Sequence, residues 1–187
     1  MPKPNRRLSS EMGGTPRTQE GFAYLAVLID LFSRRVIGWS MQSRQTTDVV
    51  FQALLMAVWR RKPKDMVLVH SDQGSQFTSM DWAAFLKHHN LEHSMSRRGN
   101  CHDAVVESFF NLLKRERIRR RVYRTREEAR QDAFDYIEMF YNPKRKHARS
   151  GMLSPVDFER QQKKSNPRVP TKLGDIQCLA PRGPTLP

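Results

Sequence analysis

Tyr24-Leu25-Ala26-Val27-Leu28-Ile29-Asp30-Leu31-Phe32-Ser33-Arg34-Arg35-Val36-Ile37-Gly38-Trp39-Ser40 reads as two strands and the turn that joins them. The apolar run from Phe22 to Asp30, bounded by Gly21, is rich in β-formers and predicts a buried strand. Ser33-Arg34-Arg35 is a polar turn, and Val36 to Met41 predicts a second strand, so the two form a hairpin.

Downstream the apolar period changes. Val50, Ala53, Leu54, Ala57 and Val58 share one helical face, with Thr46 or Thr47 as cap and Pro63 as stop. Met66 to His70 predicts a short strand. Ser79 is placed to cap a helix whose Trp82, Phe85 and Leu86 share a face, and Leu91 to Met95 predicts the last strand. A long helix from about Asp103 carries Val106, Phe109, Phe110 and Leu113 on one stripe. Another starts at Thr125, turns Ala133, Phe134, Ile137, Phe140 and Tyr141 inward, and ends at Asn142-Pro143. Residues 1–20 show no periodicity and read as disordered or loosely attached. Beyond Phe158 the chain is polar and Pro-rich, and residues 160–187 read as a tail. Strands interspersed with helices indicate a layered α/β domain. No internal repeat is visible.

The 187 residues allow one domain with a genuine core. Lys plus Arg number 33 against 19 Asp plus Glu, a formal charge of +14. That excess favours a polyanionic partner, with nucleic acid as the default and a merely well-charged surface as the alternative. Two distant cysteines, Cys101 and Cys178, make neither a disulfide framework nor a zinc cluster. His70, His88, His89 and His93 lack zinc-site spacing. There is no run long and apolar enough to span a membrane and no secretory h-region in Met1 to Gly14, so a cytoplasmic location is the expectation.

Two acids stand where chemistry is expected. Asp72 follows the strand Met66–Ser71, inside His70-Ser71-Asp72-Gln73-Gly74-Ser75-Gln76-Phe77. An acid at a strand end projects into the crevice where α/β sites form. Gly74 permits close backbone approach, and Ser75 and Gln76 can donate to phosphate oxygens. The competing reading of Asp72 is a turn or cap residue. Glu107 lies one residue past Val106, about 100° round the helix from the apolar stripe, so it is expected to border the buried face. Its competing reading is a first-turn glutamate that favours the helix dipole. Clustered carboxylates can hold two Mg²⁺ ions about 3.5–4 Å apart for phosphoryl transfer. Without metal, such like charges repel and one pKa rises.

The basic residues fall in two groups. Lys114, Arg115, Arg117, Arg119, Arg120, Arg121, Arg124 and Arg126 follow Glu107, and Lys144, Arg145, Lys146, His147 and Arg149 form the second group. Of these, Lys114, Arg115, Arg119, Arg121, Lys144, Arg145, Lys146 and Arg149 are the candidate DNA-binding residues. Such contacts give strongly salt-dependent affinity with little sequence reading. A solvated helix face is the alternative.

At this level of detail the chain resembles the integrase catalytic core of bacterial IS3-family insertion-sequence transposases (the OrfB type). The resemblance rests on Tyr24 through Ser40, His70 to Phe77, Ser94-Met95-Ser96-Arg97-Arg98-Gly99-Asn100-Cys101, Glu107-Ser108-Phe109-Phe110, and Tyr141-Asn142-Pro143 through Ser154-Pro155. These segments occur in the family's order. The resemblance implies an α/β, ribonuclease-H-like mixed sheet flanked by helices. It also implies strand transfer by a D,D,E triad with Mg²⁺ or Mn²⁺, acting on transposon ends and target DNA. Asp72 matches the second acid and Glu107 the third, each as catalytic residue and metal ligand. Asp30 is usual in the family as a core-strand residue rather than a triad member.

Two departures bear on activity. Counting back without gaps, the family's first acid falls on Met12, in a stretch with no strand character, so the first strand is degraded or missing. Glu11 is adjacent, but a one-residue slip turns a side chain to the opposite face of a strand. Against the family's pattern one residue is also missing beside Asp103-Ala104, which rotates Glu107 by about 100° unless the loop at Gly99-Asn100 absorbs it. The resulting division is 1–16 non-homologous and disordered, 17–160 a partial, N-terminally truncated integrase core, and 161–187 a divergent, disordered tail. The expected function is Mg²⁺-dependent transposition or integration, impaired by the lost acid. The alternative is an inactive DNA-binding remnant that interferes with intact transposase by mixed assembly. A homo-oligomer and a general nuclease of the same fold are further readings, the latter needing the same full acid set. Loss of a central strand predicts an unpaired edge beside Tyr24–Asp30, with poor solubility or self-association.

Overall fold

The computed structural model describes residues 16–63, 66–71, 80–95, 103–165 and 176–179. Strand β3 (Tyr24–Asp30) and strand β4 (Val36–Gln42) form the expected antiparallel hairpin. A bulge between Leu28 and Ile29 in the pairing leaves Ile37 as the extra residue. The tight turn puts Arg34 at φ 64°, in the left-handed region. Ahead of the hairpin, β1 (Arg17–Thr18) pairs with β2 (Gly21–Phe22). Residues 17–20, expected to be loose, are therefore folded back as a small hairpin.

Helix α1 (Thr47–Arg61) follows, with Thr46 extended at its start and Lys62 left-handed at its end. Strand β5 (Val67–Ser71) leads toward residue 72, α2 (Met80–His88) follows, and β6 (Leu91–Met95) pairs parallel with β5. The long helix α3 (Asp103–Glu116) precedes α4 (Arg126–Phe134), which is capped by the Thr125 hydroxyl accepting from the Glu128 N–H. Ser79 and the loop at Gly99-Asn100 lie outside the described residues. Among the described residues, no helix is long and apolar enough to cross a membrane.

The helix begun at α4 continues as a π-helix from Asp135 to Tyr141. This corrects the expected inward stripe. Tyr136, Ile137 and Tyr141 are buried with Ala133, whereas Phe134 is exposed and Phe140 only half-buried. A π turn holds more residues than an α turn, so the buried stripe moves relative to the α-helical count.

The main sheet has the order β4-β3-β7-β5-β6. Its central strand β7 is Ile176–Leu179. The stretch 160–187, expected to be a featureless tail, therefore contains the middle strand of the sheet and, ahead of it, the C-terminal half of helix α5 (Pro155–Ser165). The expected free edge beside Tyr24–Asp30 is corrected too, because β7 pairs with β3 there. Alternate residues of β3 feed two cores. Ala26 and Leu28 pack with α1 and α2 through Val50, Leu54, Trp82 and Leu86. Leu25, Val27 and Ile29 pack with α3 and the π segment through Val106, Phe109, Phe110 and Ile137. A strand buried on both faces accounts for the unbroken apolar run.

One polar cluster fastens α5 to the sheet. Glu159, 6% exposed, accepts from the Ser33 hydroxyl at 2.8 Å and from Arg35 Nη1 at 2.8 Å, and it is also bonded to Arg61. Arg61 reaches Asp30 as well, at 3.1 Å, and the Phe32 N–H donates to Asp30 Oδ1 at 2.9 Å. Burial pushes the Glu159 carboxyl up, but its bonds and charge contacts to Arg61, with Ser33 and Arg35, hold it below the usual 4.5. A depressed carboxylate stabilises the fold above its unfolded value, and that contribution is lost as pH falls through the folded value. Burial raises Asp30, partly offset by Arg61, so Asp30 acts in the opposite sense. Glu159→Gln is expected to cost about 2–4 kcal/mol at pH 7, because Arg61 then keeps one carboxylate partner instead of two. Urea midpoints at pH 7 and pH 3.5 test this. The variant is expected to lose less on acidification than the parent, and an equal loss would remove Glu159 as the titrating group.

Candidate metal and nucleic-acid site

Glu107 sits in the second turn of α3, directly after Val106, which is fully buried against the sheet. The sequence placed Glu107 at the border of the buried face. It is in fact exposed, one helical step from the apolar stripe of Val106, Phe109, Phe110 and Leu113. Asp72 lies outside the described residues, as do Met12, Glu11, Gly74, Ser75 and Gln76. The described strand β5 ends at Ser71, so the residue before Asp72 is fixed in the sheet, paired with Cys178 of β7. Helix α3 packs against β7 and β3. Helix α3 and strand β5 thus both adjoin β7, the central strand of the sheet.

The described residues do not supply a full carboxylate set. Among them, no group of three or more His, Cys, Asp or Glu could hold a metal ion. Asp30 is excluded from such a role by its contacts: it is 2% exposed and engaged by Arg61 and two turn amides. The donor set on hand is the exposed Glu107 alone, which does not fit a two-metal centre by itself.

The basic residues divide by environment. Arg121 Nη1 donates to Asp132 Oδ1 at 2.6 Å, and Arg117 stands 3.6 Å from the same oxygen. Asp132 is buried and also accepts from the Tyr123 hydroxyl at 2.7 Å. Arg145 Nη1 donates to Glu116 Oε1 at 2.5 Å, and the Tyr136 hydroxyl donates to Glu116 Oε2 at 2.9 Å. Burial first, then the bond to Glu116, raises the Tyr136 phenol. Arg126 donates to the Phe22 carbonyl at 3.2 Å and ties α4 to the N-terminal hairpin. Arg121 and Arg145 therefore hold the fold together, each on a carboxylate that is distant in sequence. Arg115, Arg119, Lys144, Lys146 and Arg149 are exposed, and Lys114 is half-buried. Arg34 adds to this surface. Its pKa is lowered by burial and then by the nearby Arg149, so two guanidinium groups crowd one patch without a carboxylate among the causes. The sequence marked Arg34 only as a turn residue. No local signal pairs it with a residue more than a hundred positions away.

Comparison with known proteins is consistent with this geometry. An integrase core domain model matches residues 2–101, and a second integrase core domain model matches residues 107–162. The first span takes in residues 2–16, which the sequence reading set apart as non-homologous. The transposase InsF for insertion sequence IS3fB of Escherichia coli (strain K12) is 53% identical over 146 residues, 78% of this chain and 51% of that protein. The transposase for insertion sequence element IS904 of Lactococcus lactis subsp. lactis (strain IL1403) is 45% identical over 158 residues, 84% of this chain and 62% of that protein. The chain spans about half the length of the first of these curated relatives. Among solved structures, the catalytic core domain of BIV integrase matches with a TM-score of 0.57 at 18% identity, over 82% of this chain and 95% of that one. The HTLV-2 integrase catalytic core domain in complex with magnesium, in a trimeric form, matches with a TM-score of 0.56 at 14% identity, over 77% and 89%. The fold is thus the ribonuclease-H-like one that the motifs imply.

Proposed function

We propose a function from the premise that this chain belongs to the integrase core domain family, with the transposases of IS3-type insertion sequences. It binds DNA as a transposase-type core and carries two of the three acids of a D,D,E site, Asp72 and Glu107. The observation that supports this most directly is the packing of α3, which presents Glu107, on β7, the strand that pairs with β5, whose last residue directly precedes Asp72. When bound, Mg²⁺ or Mn²⁺ would polarise the phosphate and activate the attacking oxygen. The chain's own part is to hold DNA over the sheet edge through Arg115, Arg119, Lys144, Lys146 and Arg149, with Arg34 beside the last. With an apolar residue at position 12, catalysis is impaired, and the chain acts mainly as a DNA-binding core. It assembles with copies of itself or with intact transposase through the family's mode of association.

The decisive assay incubates the purified chain with transposon-end DNA and Mn²⁺ or Mg²⁺, beside Asp72→Asn and Glu107→Gln. The expected result is DNA binding without nicking above that of the Asp72→Asn control. Metal-dependent nicking abolished by Asp72→Asn would overturn the impaired reading and establish an active enzyme.

The binding half of the proposal has its own test. Affinity is expected to fall with salt at a log–log slope of about −0.9 per phosphate contacted. Arg115→Ala, Arg119→Ala and Lys146→Ala should each reduce the slope by about 1 without loss of stability. Arg121→Ala and Arg145→Ala should instead lower the melting temperature, because each removes the nearest guanidinium from a carboxylate, Asp132 or Glu116. A flat salt dependence removes DNA as the partner of this surface.

A further inference from the structure

Strand β7 occupies a place in the sheet that the N-terminal hairpin also points to. In that hairpin Arg17 pairs with Phe22 and Thr18 with Gly21, and the Ala23 N–H donates to the Pro16 carbonyl at 3.1 Å. The ladder thus runs backward along the chain while its partner runs forward into β3. Continued in the same register, the residues before Pro16 would lie antiparallel beside β3, and residue 12 would fall opposite Val27. That place is taken. Leu179 stands opposite Val27, Cys178 opposite Leu28, Gln177 opposite Ile29 and Ile176 opposite Asp30. On its other side β7 pairs parallel with β5, Cys178 beside Ser71. Direction and register are those that the segment around Met12 would have, and a different part of the chain supplies the strand.

We propose that residues 176–179 are a replacement strand for the slot between β3 and β5, and that position 179 is the register equivalent of position 12. The slot demands an occupant because β3 and β5 both present their ladder groups to it, and buried backbone N–H and C=O groups are almost always paired. The consequence for the site rests on the proposed function. Cys178 pairs with the residue just before Asp72, and Leu179 is the residue just after Cys178. Val27, opposite Leu179, belongs to the sheet face covered by α3, the helix that carries Glu107. Cross-strand partners share a face. Position 179 therefore stands in register with a β3 residue of the face that α3 covers, and it carries leucine rather than an acid.

Two readouts test the two halves separately, both on the full chain with Cys101→Ser, so that Cys178 is the single thiol. Direct antiparallel partners have Cα atoms about 4.5–5.5 Å apart, within the range of about 4.4–6.8 Å that a disulfide accepts. Leu28→Cys is expected to form a disulfide with Cys178 on mild oxidation, identified by mass spectrometry of the digested protein. Ser71→Cys is a second placement that leaves the core leucine intact. Glu92→Cys, on β6, is expected to give none. No cross-link at either position 28 or position 71, or equal cross-linking at position 92, overturns the strand assignment.

For the second half, Leu179→Asp is expected to bind Mn²⁺ at least tenfold more tightly than the parent by calorimetry. The gain should vanish with added Glu107→Gln and be absent in Leu179→Asn, whose side chain has the same shape without the charge. Cross-linking without a gain in Mn²⁺ binding overturns the equivalence of 179 with an acid position while supporting the strand. A gain that survives Glu107→Gln overturns the role of Glu107 in the set.

Discussion

Gly38→Ala is expected to destabilise the protein by about 3 kcal/mol or more, the upper end for overpacking a filled core. A Cβ at position 38 would lie 2.0 Å from the Ala53 carbonyl oxygen and 3.0 Å from both the backbone nitrogen and the Cβ of Ala57. The obstacle is the backbone of α1 seated directly on β4, so the whole helix has to lift. Its displacement would also pull Arg61 from Asp30 and Glu159 at the helix's far end. Urea denaturation reads the loss. Ala57→Gly should not rescue it, because the nearest atom belongs to the main chain of Ala53. Gly151→Ala is the contrast. There φ is +64° but a Cβ meets nothing within 4 Å, so only backbone strain of about 1 kcal/mol is expected. Equal effects at the two glycines would show that helix contact is not what position 38 requires.

Asn142→Ala is expected to cost about 3 kcal/mol and to lower the melting temperature by about 6–12 °C. The Asn142 side chain is buried, accepts from the Val36 N–H at 2.9 Å and donates to the Val36 carbonyl at 3.0 Å. It thereby serves the outer edge of β4 as a neighbouring strand would, at the point where the bulge begins. Alanine leaves both groups of Val36 buried and unpaired. Asn142→Asp should be at least as damaging, because a carboxylate keeps the acceptor but sets an oxygen against the Val36 carbonyl. Retained stability in both variants would show that water replaces the side chain at this edge.

The parts of this fold that could be read in the sequence have short-range patterns. The run Leu25–Ile29 is apolar throughout because both its faces are covered, and Val106, Phe109, Phe110 and Leu113 keep one helical period, so β3 and α3 were plain. Thr125 announced its helix because the cap is a contact over three residues. Phe134 was misplaced because a π-helix cannot be distinguished from an α-helix by apolar spacing in so short a segment. The arginines at 121 and 145 read as free charge because their partners, Asp132 and Glu116, lie well outside any charge-pairing window on one helix turn. Strand β7 was the largest omission. Its four residues, with Gly174 before and Pro181 after, carry strand punctuation, but its partners are nearly the whole chain away. Of the candidate site, the place of Glu107 on α3 was legible. Its exposure was not, since exposure depends on what lies across the sheet.

The position of β7 also sets a timetable for biosynthesis. The strand at the middle of the sheet is the last of the described elements to be made, roughly 150 residues after β3. At about 5–20 residues per second, β3 and β5 wait on the order of ten seconds or more on the ribosome with the slot between them open. The two halves of the sheet cannot close until residue 179 has cleared the exit tunnel, so completion of the sheet lags well behind synthesis of β3 and β5. During that interval the nascent chain presents two strand edges to any extended segment nearby. Its yield in a cell should therefore depend on chaperone supply more steeply than the stability of the finished fold would suggest.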